Sequence, residues 1–184
     1  GPGSMTQDEV LDFWFAGDPA THRKEWFEKT VEFDASCTRF ADGLRDARRG
    51  AFDHWAETPR GTLALIILLD QFSRNLHRNS PEAFAADGKA REIARTAIER
   101  GIDRMLGELE RLFVYLPFEH SEDLADQDQS VRLFTSLGED MTRYAEDHRD
   151  VIRRFGRFPH RNAALGRTST PDELAYLAQP DAGF

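Results

Sequence analysis

The sequence predicts an all-α protein. Three observations carry that prediction. Apolar residues recur at three- and four-residue spacing in every long segment, and helix-start signals such as Thr-Pro, Ser-Pro and Thr-x-x-Glu punctuate the chain. No run of four or more alternating β-branched residues interrupts them. The pattern gives about eight or nine helices joined by short turns, hence stacked antiparallel hairpins.

Thr6 and Glu9 read as a capping box ahead of Val10, Leu11, Phe13, Trp14 and Phe15, so a first helix is expected over residues 7–16. Gly17-Asp18-Pro19 ends it, and a second helical stretch covers residues 23–28. Asp34 is expected to cap a helix ending near Gly50, because Cys37, Phe40, Leu44 and Ala47 are spaced by three and four. Phe52 and Trp55 fall in a short connector. Thr58-Pro59 opens the next helix with proline at its first position. Its body, GTLALIILLDQF, is apolar on every side, which predicts a helix buried in the middle of the fold.

Ser80-Pro81 is expected to open another helix, with Phe84, Ile93, Ala94, Ala97 and Ile98 inside and Gly101 just past its end. Residues 109–115 read as a short helix stopped by Pro117, since the residue before a proline disfavours the helical region. Ser121 is expected to cap the following helix, whose acidic first turn suits the helix dipole and which ends at Gly138. Met141, Tyr144, Ala145, His148, Val151, Ile152 and Phe155 form one inward stripe up to Gly156. Thr170-Pro171-Asp172-Glu173 is a second capping box, starting a last helix through Ala178.

Length and composition narrow the class. The first four residues, GPGS, look like the remnant of a cleaved expression tag, and residues 5–184 suit a single all-α domain. Hydrophobic residues at 40% and charged residues at 31% are ordinary for a globular protein. No cationic-then-apolar signal peptide follows Met5. The longest unbroken apolar run, residues 63–69, is far shorter than the roughly 20 residues a bilayer requires. A cytoplasmic protein with no membrane partner is expected. The net charge of −9 argues against nucleic acid as a partner.

Cys37 is the only cysteine, which excludes an intrachain disulfide and a cysteine-based zinc site; it reads as a buried structural residue. The paired histidines of a zincin and the Glu-x-x-His element of di-iron bundles are both absent, so no metal and no cofactor are expected.

Two segments of opposite charge carry the functional argument. Residues 116–128 hold Glu119, Glu122, Asp123, Asp126 and Asp128, inside a window (residues 112–131) without Lys or Arg. Residues 151–167 hold Arg153, Arg154, Arg157, Arg161 and Arg167 and no acid. Either the blocks pair with each other, or they line one cleft that holds a charged ligand. In the second case Arg157, His160, Arg161 and Asn162 sit on a loop stiffened by Pro159. Guanidinium forks there suit a carboxylate or phosphate, and the histidine suits proton transfer.

Glu119 and His120 lie just before the acidic helix, and Glu119 joins His160 as a candidate catalytic residue. Arg74, four residues after Asp70 on the buried helix, either pairs with it or reaches the same cleft. The candidate ligand set is therefore Arg74, His120, Arg157, Arg161 and Asn162. His148 reads as a hydrogen-bonded core histidine.

Three segments together resemble a bacterial family, the domain of unknown function numbered 924: LALIILLDQFSRN, YLPFEHSEDLADQDQSVRLF and RRFGRFPHRNAALGRTSTPDE, supported by DFWF and Trp26-Phe27. The likeness runs over residues 10–177. It implies stacked helical hairpins similar to tetratricopeptide repeats, in a right-handed array, and no established activity. Ser73 stands where the family usually has Pro, and Asn79 where it often has Gly. No 34-residue self-similarity is visible. Three functions follow. The first is a polar cleft binding a small anionic molecule, with acid–base catalysis as its extension. The second is an adaptor binding a peptide or protein on a concave face. In the third, the charged blocks are structural ion pairs alone.

Overall fold

The structure, a computed structural model, describes residues 5–184, so the four tag-like residues lie outside it. The described residues form helices and turns, with no strand among them. They make two compact units: residues 5–78 with 82–117, and residues 79–81 with 118–184.

The first unit begins with α1 (Gln7–Phe15), where Thr6 Oγ accepts from the Glu9 N–H as the capping box requires. A single 3-10 turn, Lys24–Trp26, stands where a second helical stretch was expected. Next come α2 (Val31–Ser36) and α3 (Ala41–Arg48), separated by the 3-10 turn Thr38–Phe40. The cap of α2 is Thr30, not Asp34. Asp34 cannot serve because its carboxylate is taken by Arg78 (2.8 and 3.0 Å) and by Asn75 Nδ2 (2.9 Å).

The core helix α4 covers residues 59–76 and has three parts: Pro59–Ile66, a π-helical Ile67–Phe72, and Ser73–Leu76. Thr58 caps it through the Gly61 N–H, and every residue from Leu63 to Leu69 is fully buried. Ser73 continues the helix, its hydroxyl donating to the Leu69 carbonyl at 2.6 Å, and Asn79 takes the left-handed backbone (φ 69°) that glycine favours. Around α4 lies an aromatic cluster. Phe40 stacks on Phe72 at 4.6 Å, and Trp14 meets Phe72 and Phe113 edge-on, each at 5.4 Å. Cys37 is buried here, and burial pushes its thiol up to about 11.

Ser80-Pro81 does not start a helix. Pro81–Ala83 is a 3-10 turn, and α5 (Asp87–Glu99) begins only after Ala86. α6 (Glu108–Glu119) runs two residues past Pro117, where a stop was expected. Pro117 sits in the last turn, so it removes only one late backbone donor. Burial of Leu112, Phe113, Val114, Tyr115, Leu116 and Phe118 outweighs that local cost.

The second unit contains the end of α6, then α7 (Leu124–Phe134), α8 (Glu139–Phe155) and α9 (Pro171–Leu177). The cap of α7 is Asp123, whose carboxylate accepts from the Ala125 N–H; Ser121 instead accepts from the Asp123 N–H and donates to Asp126. α7 and α8 are an antiparallel pair: Thr142 Oγ donates to the Phe134 carbonyl near the turn, and Arg149 meets Asp128 further along. The stripe on α8 buries Ala145, His148, Val151 and Ile152, but Tyr144 stays 45% exposed, contrary to the expected inward face. The Thr170–Glu173 capping box that starts α9 is present in both halves. With residues 59–76 counted as one helix and the single turn Asn162–Leu165 set aside, the described residues hold nine α-helices, in agreement with the number read from the sequence.

Candidate functional site

The acidic segment and the basic loop meet, both within the second unit. α8 ends at Gly156, whose φ of 73° reverses the chain while its N–H donates to the Ile152 carbonyl. Two residues on, the Phe158 N–H donates to Glu122 Oε2 at 2.6 Å. The same carboxylate accepts from Arg167 through both oxygens, at 2.9 and 3.0 Å. Burial raises the Glu122 carboxyl, but Arg167, the Phe158 N–H and the charge of Arg161 outweigh it, leaving the group below the usual carboxylate range. Arg167 also donates to the Phe158 carbonyl and to Asn162 Oδ1. Glu122 and Arg167 thus clasp the loop.

The clasp sets Phe158 and Arg161 inside. Phe158 is fully buried, and the 3-10 turn Pro159–Arg161 carries the Arg161 guanidinium back over its ring, 4.7 Å from the centroid. Arg161 Nη2 donates to the His120 carbonyl at 2.8 Å, which ties the loop to the end of α6. Gln127 braces that turn from α7, its amide nitrogen donating to the carbonyls of Glu119 and Ser121 at 2.7 Å each.

Beside Arg161 lie Glu119 and His148, 2% and 4% exposed, with Glu119 Oε1 3.7 Å from His148 Nδ1. His148 Nδ1 is also 2.8 Å from the Tyr144 carbonyl. A carbonyl only accepts, so Nδ1 carries the proton and Nε2 carries the lone pair. Burial holds the imidazole down to about 3, and the charges of His120, His160 and Arg161 act in the same direction. His148 is therefore a neutral imidazole with a fixed tautomer. Burial first, then the Glu119 and Asp147 charges, raise the Tyr144 phenol. His160 is half-buried, its ring 5.7 Å from that of Phe158.

The remaining predicted residues fall elsewhere. Arg157 is engaged by Glu173 (2.8 and 2.7 Å) and the Thr168 carbonyl (2.7 Å), so its fork braces the loop against α9. Asn162 is buried and bridges Ser169 and Arg167. Arg74 belongs to the first unit, where Asp87 binds it through two bonds (2.8 and 3.0 Å) and Asp70 accepts through its carbonyl. Arg154 lies over the rings of Phe155 and Tyr176. Sequence reasoning assigned His148 and Tyr144 to the core and gave Phe184 no role. The one available signal was a histidine on an otherwise apolar and aromatic stripe. Among the described residues, no group of three or more His, Cys, Asp or Glu side chains is placed to hold a metal ion. No helix there is long and apolar enough to cross a membrane.

These features define a class: an all-helical protein whose second unit encloses a Glu–His–Arg cluster behind an acid–base clasp. The chain belongs to the bacterial protein family of unknown function DUF924, whose profile matches residues 10–181. It is similar to a solved protein of unknown function from Agrobacterium tumefaciens, with 43% identity and a TM-score of 0.86. The likeness covers 94% of this chain and 96% of that one. No curated protein matches the chain significantly.

Proposed function

We propose that this protein, acting in the cytoplasm, binds a small molecule bearing a carboxylate or phosphate at the Glu119–His120–His148–His160–Arg161 cluster, with proton transfer as its chemistry. The observation that supports this reading is the pairing of buried Glu119 and His148, 3.7 Å apart. His120, His160 and Arg161 are close enough for their charges, where present, to disfavour protonation of His148. Arg161 sets a guanidinium fork close to that pair, its charge felt by both His148 and Glu122, and such a fork suits a carboxylate or phosphate. Glu119 is the proton acceptor in this scheme. His148 offers the Nε2 lone pair, held in place by its Nδ1 bond, and half-buried His160 is the group that exchanges protons with solvent. Arg157, Asn162 and Arg167 position the loop and do not touch the ligand. Arg74 has no part in it.

The adaptor reading draws less support. Large exposed apolar side chains are divided between the units, with Phe27, Val31 and Met105 in the first and Leu124, Tyr144 and Leu174 in the second. Three such side chains per unit, among the described residues, are sparse for a groove that meets a peptide along successive helices.

Thermal shift against a panel of metabolite carboxylates and phosphates tests the proposal. A ligand at about 100 times its Kd stabilises the folded state by about 2.7 kcal/mol, a rise of several degrees. Arg161→Ala and His160→Ala are expected to abolish the rise, Arg161→Ala with some loss of ligand-free stability because its bond to the His120 carbonyl goes with it. If no anion stabilises the parent, or if both variants keep the full rise, the reading is wrong.

A further inference from the structure

The residues after α9 return over the candidate site. Gly183 crosses close to His160: a Cβ at Gly183 would lie 3.1 Å from His160 Cβ, and its φ of 83° is one that side-chain-bearing residues rarely adopt. Its N–H donates to Tyr176 Oη at 3.1 Å. The ring of Phe184 then stacks on the His148 imidazole, with centroids 3.5 Å apart and planes 20° from parallel. Three further rings meet it edge-on: Tyr144 at 5.8 Å, His160 at 6.0 Å and Phe158 at 6.2 Å.

One ring face-on and three edge-on surround Phe184, the geometries in which aromatic pairs gain energy beyond their buried area, a gain an alkyl group of the same size would not have. The face-on wall is an imidazole kept neutral by burial. Tyr144, the outer wall, is 45% exposed, so the enclosure opens to solvent on that side. Arg161, whose guanidinium lies over Phe158, places positive charge beside the rings.

We infer that Tyr144, His148, Phe158 and His160 form an aryl-binding box filled by the chain's own Phe184, and that the ligand of this site is an aromatic carboxylate whose ring displaces Phe184. This inference rests on the anion-site reading above and names its ligand class. Phe184 stands in for the ligand ring, and residues 183–184 act as a strap that the ligand must lift.

The test is calorimetric titration of the parent and Phe184→Ala with four probes: phenylacetate, cyclohexylacetate, acetate and inorganic phosphate. Emptying the box is expected to tighten phenylacetate about tenfold relative to the parent, the worth of one good ring stack, and to leave cyclohexylacetate well behind it. In histidine-detected NMR, the His148 and His160 ring signals should move together on adding phenylacetate to the variant. Should Phe184→Ala fold poorly, Phe184→Leu removes the ring face while keeping apolar volume, and the same ranking of probes is required of it. If acetate or phosphate binds both proteins alike and phenylacetate gains nothing from the substitution, the aryl box is wrong and the anion site survives. If no probe binds either protein, both readings fall.

Discussion

Glu122 holds Arg167 through both of its carboxylate oxygens, at 2.9 and 3.0 Å, while the Phe158 N–H occupies the same carboxylate. This three-way contact fixes the loop that carries Arg161 into the site. Both side chains are about a quarter exposed, so solvent screening reduces their ion-pair contribution. Arg167→Ala is nevertheless expected to cost about 1–3 kcal/mol, the range for lost hydrogen bonds to a charged group. Denaturant titration measures it. Arg157→Ala should likewise lower the melting temperature, since Glu173 loses its two-bond partner. Arg161→Ala also loses a bond, to the His120 carbonyl, but it alone of the three is placed to lose ligand binding as well. A variant set in which Arg157→Ala or Arg167→Ala loses ligand binding and Arg161→Ala keeps it would reverse these assignments.

Folding stability should depend on pH through His148. Burial first, and then the neighbouring His120, His160 and Arg161 charges, hold its imidazole at about 3 against an ordinary 6.5, with the Tyr144 carbonyl opposing and Glu119 3.7 Å away. The unfolded chain therefore binds a proton below about 6.5 that the folded protein refuses until about 3. Stability from this group is complete above that window and is lost as pH falls through it. Glu173, held at about 2 chiefly by Arg157, and Glu122 add a second loss as pH falls below 4.5. Urea midpoints at pH 7.5, 5.5 and 4 should decline in the parent. In His148→Phe the decline between the first two should flatten; an unchanged slope would assign it to other groups.

The buried run from Leu63 to Leu69 makes a sharper demand. Ile66 and Leu68 are fully buried. Truncating either to alanine is expected to cost about 2–5 kcal/mol, because the surroundings cannot close the cavity completely. A loss below about 0.5 kcal/mol, the size of a surface change, would contradict the placement of the core.

Gly61 supplies a test of backbone proximity. A Cβ there would lie 2.0 Å from the Trp55 carbonyl oxygen, a rigid group with no rotamer to retreat into. Gly61→Ala is expected to destabilise by about 1–3 kcal/mol or more, the usual range for overpacking, despite alanine's better helix propensity. Gly88, whose Cβ would meet only Arg91 Nη2 at 3.9 Å, serves as the control: Gly88→Ala should be neutral or stabilising.

Much of this fold is written in local signals. Thr6, Thr58 and Thr170 each cap a helix with the residue three positions on, and the aliphatic run of α4 announces its own burial. Signals failed where a partner distant in sequence decided the outcome. Asp34 looked like a cap until Arg78, 44 residues away, claimed its carboxylate. Pro117 looked like a stop until the burial of its neighbours outweighed one missing donor. The meeting of the acidic and basic blocks was legible from charge alone. Which arginine serves which acid was not: Arg157 reaches Glu173 and Arg167 reaches Glu122, and only their three-dimensional arrangement separates brace from site.

The π-helical segment of α4 has an evolutionary corollary. Across Ile67–Phe72 each backbone bond spans one residue more than in the flanking turns, so this stretch holds one amino acid that an ordinary helix would omit. A deletion elsewhere in α4 would rotate everything downstream by about 100°, turning Arg74 and Asn75 away from the acids that hold them. A deletion within the widened turn would let it relax to regular geometry with both ends still in phase. Length variation among relatives, if this helix admits any, belongs in those six residues, and a chain one residue shorter there would keep the same partners.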